Sequence, residues 1–181
     1  MKNEGMERSE KEELKNSSER AVENFKQGYN CSQSVFLAFA DRYGIDDETA
    51  LKISASFGGG MGRMREVCGC MSAMALIAGF ETGSTKPRDP DGKKANYEKV
   101  QHLAQEFRKY TGGSIICREL LGLSADKNSE MSSPTPSERT EQYYKKRPCI
   151  RLIQDACSII EKEFFGGKEN EQSADDGTDN R

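Results

Sequence analysis

The chain has 181 residues, of which 34% are hydrophobic and 31% charged, with a formal net charge of −3. This length fits one ordinary domain, and a second catalytic one is not expected. The last fourteen residues, Lys168 to Arg181, carry five acids against two bases, so the body is nearly neutral and offers no basic nucleic-acid footprint.

Residues 1–9 read as a polar N-terminal tail, 10–165 as one helical cysteine-containing domain and 166–181 as an acidic disordered tail. The N-terminus, Met1 to Lys15, is rich in Glu and Lys and lacks the apolar stretch of a signal peptide. No apolar run reaches the roughly 18 residues of a membrane span. The expectation is a cytoplasmic protein with no membrane insertion. In a reducing compartment its six cysteines are ligands, redox groups or core residues rather than disulfide staples.

Apolar spacing predicts an all-α, single-domain helical bundle of about six to seven helices and no alternating strand. A first helix over Glu10 to Lys26 carries Leu14, Ala21, Val22 and Phe25 and stops at Gly28. Asn30 is an N-cap for a second, in which Cys31, Val35, Phe39 and Tyr43 recur at i+4, ending at Gly44. A third begins near Asp46 or Asp47 and runs through Phe57 into Gly58-Gly59-Gly60-Met61-Gly62, a flexible or closely packed turn.

Glu66 to Phe80 is apolar nearly all round and is expected to be the central helix. Glu81 to Gly92 reads as a loop and Lys93 to Tyr110 as an amphipathic helix through Val100, Leu103, Ala104 and Phe107. A short helix follows over Ile115 to Leu121, then a polar segment, Ser124 to Ser137, read as a mobile loop. The last helix starts around Pro148 and continues to Phe165, with Ile150, Ile153, Cys157, Ile160 and Phe164 on one face.

Three thiols fall in predicted first turns: Cys31 after Asn30, Cys117 three residues past Ser114, and Cys149 after Pro148. Unpaired backbone N–H groups and the helix dipole favour thiolate there, and Lys145, Lys146 and Arg147 add to that at Cys149. Cys68, near the start of the central helix, continues into a small-residue stripe of Ser72, Ala75 and Gly79. Such a stripe admits a cofactor or a second helix closely. Cys70 shares its side with Val67, Ala73, Met74 and Ile77 and reads as core, as does Cys157 among Ile153, Ile160 and Phe164.

The bland alternative is that all six are small buried hydrophobes, which free cysteine often is. There is no CxxC pair, so a four-thiol site has to be assembled by the fold. The glycine run lacks the Lys-Ser/Thr ending of a P-loop, and close packing is the better reading. His102 reads as an ordinary half-exposed residue, and Met61, Met64, Met71 and Met74 as core filler.

The order Cys31 in NCSQSV, then GGGMG, then Cys68-Gly69 in VCG, Cys117 in CRELLG and Cys149 in RPCIRLI resembles the redox-active C_GCAxxG_C_C family over roughly Ala21 to Phe164. That family has four cysteines and a Cys-Gly-Ala-x-x-Gly segment, and Cys31, Cys68, Cys117 and Cys149 match the four. Here Cys70 replaces the alanine and Ala73 the closing glycine, and registering the segment on Cys70 stays open. The resemblance implies a helical redox protein holding an iron-sulfur cluster or similar group.

The leading expectation is that Cys31, Cys68, Cys117 and Cys149 converge as ligands of an iron-sulfur cluster for electron transfer or redox sensing. The alternatives are thiol-disulfide chemistry at the same cysteines and a structural zinc or packing role. A redox protein is the expected partner, nucleic acid is not, and homo-oligomer formation is left open.

Overall fold

A computed structural model describes residues 16–123 and 133–166. The expected tails 1–9 and 166–181, apart from Gly166, lie outside these residues, as do Glu10–Lys15 and positions 124–132. The fold is all-α, as expected. Among the described residues there are eight α-helices and no strand, only an isolated antiparallel bridge between Val67 and Ile116.

The first helix, α1 (Ser17–Lys26), is opened by a capping box in which Asn16 accepts from the Glu19 amide and the Glu19 carboxylate accepts from the Asn16 amide. It buries Ala21 and Phe25. A second capping box, Asn30 with Gln33, opens α2 (Cys31–Ala40), placing Cys31 at its first position. Val35, Phe36 and Phe39 of α2 are wholly buried. Burying a phenylalanine contributes about 1.5–3 kcal/mol, so this helix anchors the core. The Asp46 side chain caps α3 (Asp47–Ser54), which continues as a 3-10 turn over Ala55–Phe57.

The central helix α4 (Gly69–Thr82) begins three residues later than the periodicity suggests, because Val67 pairs with Ile116 in extended conformation. Its inner face, including Cys70, Met71, Met74 and Ile77, packs against α2. It also packs against α5 (Pro90–Tyr110), which starts three residues earlier than expected. Asp89 caps it by accepting from the Gly92 amide, and Pro90 fills the first position, where a missing N–H costs nothing.

The four-residue α6 (Cys117–Leu120) lies within the expected Ile115 to Leu121 and begins two residues later, because Ile116 is extended and pairs with Val67. The next, α7 (Glu141–Lys146), capped by Thr140, lies in a stretch for which no helix was expected. The last, α8 (Cys149–Ile160), runs into a π-turn over Glu161–Phe165, and Pro148 is its N-cap residue rather than its first helical one. Its buried face of Leu152, Ile153, Ala156, Cys157, Ile159 and Ile160 lies against α1, α2, α4 and α5. Among the described residues no helix is long and apolar enough to cross a membrane.

Candidate functional site

Five cysteines reach one cavity of about 270 Å³: Cys31, Cys68, Cys70, Cys117 and Cys149. The four expected from the sequence are therefore brought together, each from a helix start. Cys31, Cys117 and Cys149 are first residues of α2, α6 and α8, and Cys68 is the N-cap of α4. Cys157 does not line this cavity. It is wholly buried, with its thiol 3.9 Å from the Ser17 carbonyl, away from the other five.

Cys70 lies in the core, as its side of the helix implied, and it also reaches the cavity. It is wholly buried, and its thiol hydrogen-bonds to both Cys31 and Cys68. Both Cys68 and Cys70 thus line the cavity.

The isolated bridge positions Cys68 beside Cys117. The Cys68 amide donates to the Ile115 carbonyl at 2.8 Å, and the Cys117 amide to the Glu66 carbonyl at 2.6 Å. Two residues distant in sequence are thereby fixed by backbone bonds rather than by side-chain packing. Gly60 makes this approach sterically feasible, since a Cβ there would stand 2.6 Å from the Cys117 Cβ. The glycine run is a closely packed turn, as its lack of P-loop features indicated.

That turn is strained. Gly59, Gly60 and Gly62 take positive φ, which glycine tolerates, but Met61, Arg63 and Arg65 also do so, at 57°, 66° and 61°. Each non-glycine residue in this region costs about 1–2 kcal/mol, and strain of this kind gathers at functional sites. The turn is held by its own backbone bonds, among them Arg63 N–H to Gly58 O at 3.2 Å and Glu66 N–H to Gly60 O at 3.1 Å. It leaves Met61 and Met64 exposed, so neither is the core filler expected, whereas Met71 and Met74 are.

The turn also delivers Arg65 to the cavity. Only 2% of Arg65 is exposed, and its Nε and Nη2 have no hydrogen-bond acceptor. Nothing local in the sequence marks this residue, because its position depends on a backbone conformation that non-glycine residues disfavour.

The thiols differ in ionisation. The Cys70 thiol, followed by the amides of Gly59 and Ser32, stabilises the Cys31 thiolate against the opposing effect of burial and lowers its pKa to about 6. Burial, reinforced by neighbouring thiolates, raises Cys117 to about 11 and Cys149 to about 12. Arg65 partly opposes the rise at Cys117, and Arg147 that at Cys149. Helix-start placement therefore favours the thiolate at Cys31, while desolvation outweighs it at the other two.

The opposite wall comes from residues 133–147. Arg63 donates from Nε to the Ser133 carbonyl at 2.9 Å, and Arg139 donates to the carbonyls of Phe25 and Tyr29 at 3.2 and 3.1 Å. The described end of the segment expected to be a mobile loop is thus tied down and lines the cavity through Pro134, Pro136 and Ser137. The small-residue stripe serves another space, for Ser72 and Ala75 line an apolar groove beside α5. His102 pairs with Glu163 at 3.0 Å and takes no part in the cavity.

Among the described residues, no three His, Cys, Asp or Glu side chains are disposed about a single metal ion. The family model described as "Putative redox-active protein (C_GCAxxG_C_C)" matches residues 29–163, well over half of the chain. No curated protein and no solved structure matches.

Proposed function

The chain belongs to the C_GCAxxG_C_C family, and on that premise we propose that the cysteine-lined cavity is a redox centre. In this reading Cys31, Cys68, Cys117 and Cys149 ligate an iron-sulfur cluster, or a similar metal centre, for electron transfer or redox sensing in exchange with a redox partner protein. The observation that carries it is that all four line one cavity beside the buried Arg65.

The donor set suits such a group, since thiolates select iron-sulfur clusters and soft metals. Burial and mutual repulsion suppress the ionisation of Cys117 and Cys149. A cation among such thiols lets them ionise together.

When bound, a cluster supplies one-electron transfer at a potential set by charge, burial and hydrogen bonds to its sulfurs. The chain's own contribution is to place the thiols. The Gly59 and Ser32 amides hold the Cys31 sulfur, the Val67–Ile116 bridge fixes Cys68 beside Cys117, and Arg65 offsets negative charge near Cys117. Anaerobic purification is expected to give a brown protein containing iron and sulfide, with colour lost in Cys68→Ser and Cys117→Ser variants. A colourless, iron-free wild type overturns the reading.

A second reading is favoured by the contact of Cys70 with Cys31 and Cys68. Against a disulfide substrate, the Cys31 thiolate attacks one sulfur and expels the other as a thiolate. Cys70, giving up its proton, then displaces the second half and closes a Cys31–Cys70 disulfide. Two cysteine thiols are oxidised and one disulfide is reduced. Mild oxidation is expected to link these residues, and mass mapping that finds every cysteine free rejects it.

A further inference from the structure

We infer that the cavity also binds a small oxyanion, such as a carboxylate, phosphate or sulfate group, on the guanidinium of Arg65. The inference builds on the redox reading in one respect: the anion lies beside the working thiols. Its physical basis is separate.

Among the described residues four arginines line the cavity, namely Arg63, Arg65, Arg139 and Arg147, and no aspartate or glutamate does. Three of the four are committed to the surrounding framework. Arg63 and Arg139 donate to backbone carbonyls, and Arg147 lies 4.7 Å over the Tyr143 ring with a 3.5 Å contact to Ser137 Oγ. These contacts fix the three side chains in place.

Arg65 differs. It is the most deeply buried of the four, and although its guanidinium also acts on the Cys117 thiol, Nε and Nη2 donate to nothing and neither is exposed. A buried guanidinium with idle donors is costly, and the cost is removed by an acceptor carrying negative charge. Nε and an Nη group form the fork that meets two oxygens of one oxyanion at once. Arg65 takes a left-handed φ of 61°, and its side chain lines the same cavity as the thiols. A volume of about 270 Å³ lies just below the usual range of drug-sized pockets, which suits a ligand of few atoms.

The test compares two alkylating reagents at Cys31, the half-buried thiol that the same cavity exposes. Iodoacetate carries a carboxylate and iodoacetamide does not, and the chemistry at sulfur is otherwise the same. The full chain is reduced, treated with chelator and alkylated at one pH, with labelling at Cys31 followed by mass mapping. Clefts lined by one sign of charge raise encounter rates by about 10–10³. The iodoacetate-to-iodoacetamide rate ratio is therefore expected to fall by about tenfold or more in Arg65→Gln. Millimolar sulfate or phosphate is expected to slow iodoacetate alone, with chloride at equal ionic strength having no such effect.

The competition arm uses wild type only and stands even if Arg65→Gln fails to fold. A ratio unchanged in a folded Arg65→Gln variant, or sulfate, phosphate and chloride acting alike, overturns the inference. Iron and sulfide measured before chelation keep the two proposals apart. Iron-free protein with sulfate-sensitive labelling retains the anion site and loses the cluster, and brown protein without that sensitivity does the reverse.

Discussion

The sulfur of Cys31 lies where a side chain at Gly69 would begin: a Cβ there would stand 2.5 Å from Cys31 Sγ and 3.0 Å from the Phe57 carbonyl oxygen. The start of α4 and the start of α2 approach this closely only because residue 69 has no side chain. Gly69→Ala is expected to destabilise the protein by about 1–3 kcal/mol, the usual range for overpacking, and to change Cys31 labelling. Gly79, ten residues along the same helix, has nothing within 4 Å of its would-be Cβ. Gly79→Ala is expected to stabilise by about 0.5–1 kcal/mol through helix propensity. Denaturant unfolding of the two variants checks both signs.

Cys31 reactivity has a definite pH dependence. With its pKa lowered to about 6, Cys31 in reduced, metal-free protein is mostly thiolate at pH 7, and its iodoacetamide labelling is expected to rise through a midpoint near that value. Hydrogen bonding from Cys70 is the largest lowering influence. Cys70→Ala is therefore expected to move the midpoint upward, toward the ordinary thiol value of about 8.5. A midpoint unmoved by this substitution shows that the backbone amides suffice.

What the sequence carried was local. Asn30 and Gln33 form the expected helix start, so Cys31 is where the cap placed it. The start of α5 was equally local and was missed, since Asp89-Pro90 lay inside a stretch read as loop from its prolines and glycine. The convergence of the thiols depends on Val67 meeting Ile116 across nearly fifty residues, and no periodicity encodes that pairing. Cys70 shows what helical periodicity leaves out, for it is core as read and also lines the cavity. In the first turn of a helix the neighbours come from other segments, so the side shared with Met74 and Ile77 also faces Cys31. Arg65 was illegible because its role follows from a run of left-handed backbone at Met61, Arg63 and itself.

Away from the cavity, Glu163 links the π-turn after α8 to α5. Its carboxylate lies 3.0 Å from His102 Nε2 and 3.3 Å from Lys99 Nζ. The His102 hydrogen bond, followed by that from Lys99, holds the carboxyl below its ordinary value. A depressed carboxyl stabilises the fold above its unfolded pKa of about 4.3, and that contribution disappears as pH falls through the lower folded value. Glu163→Gln is expected to lose about 0.5–1 kcal/mol at pH 7. The difference from wild type narrows below about pH 4, which thermal unfolding across pH 3–7 reads directly.

The division between Cys157 and the cavity cysteines makes opposite demands on two substitutions. Cys157 is wholly buried in the face of α8 that meets α1, and burial is the main reason its thiol is raised to about 12. Its sulfur is a packing group, so Cys157→Ala is expected to cost about 1 kcal/mol or more through the space it leaves. Iron content, colour and Cys31 labelling should stay as in wild type. Cys117→Ala removes a sulfur from the cavity wall, where the chain brings it to Cys68 through the Val67–Ile116 bridge. That variant is expected to lose iron and colour while its backbone pairing, made by main-chain groups alone, survives. Circular dichroism and metal analysis on the two variants separate packing from chemistry. Loss of iron in a well-folded Cys157→Ala protein would place the sixth cysteine in the redox site and contradict its position in the core.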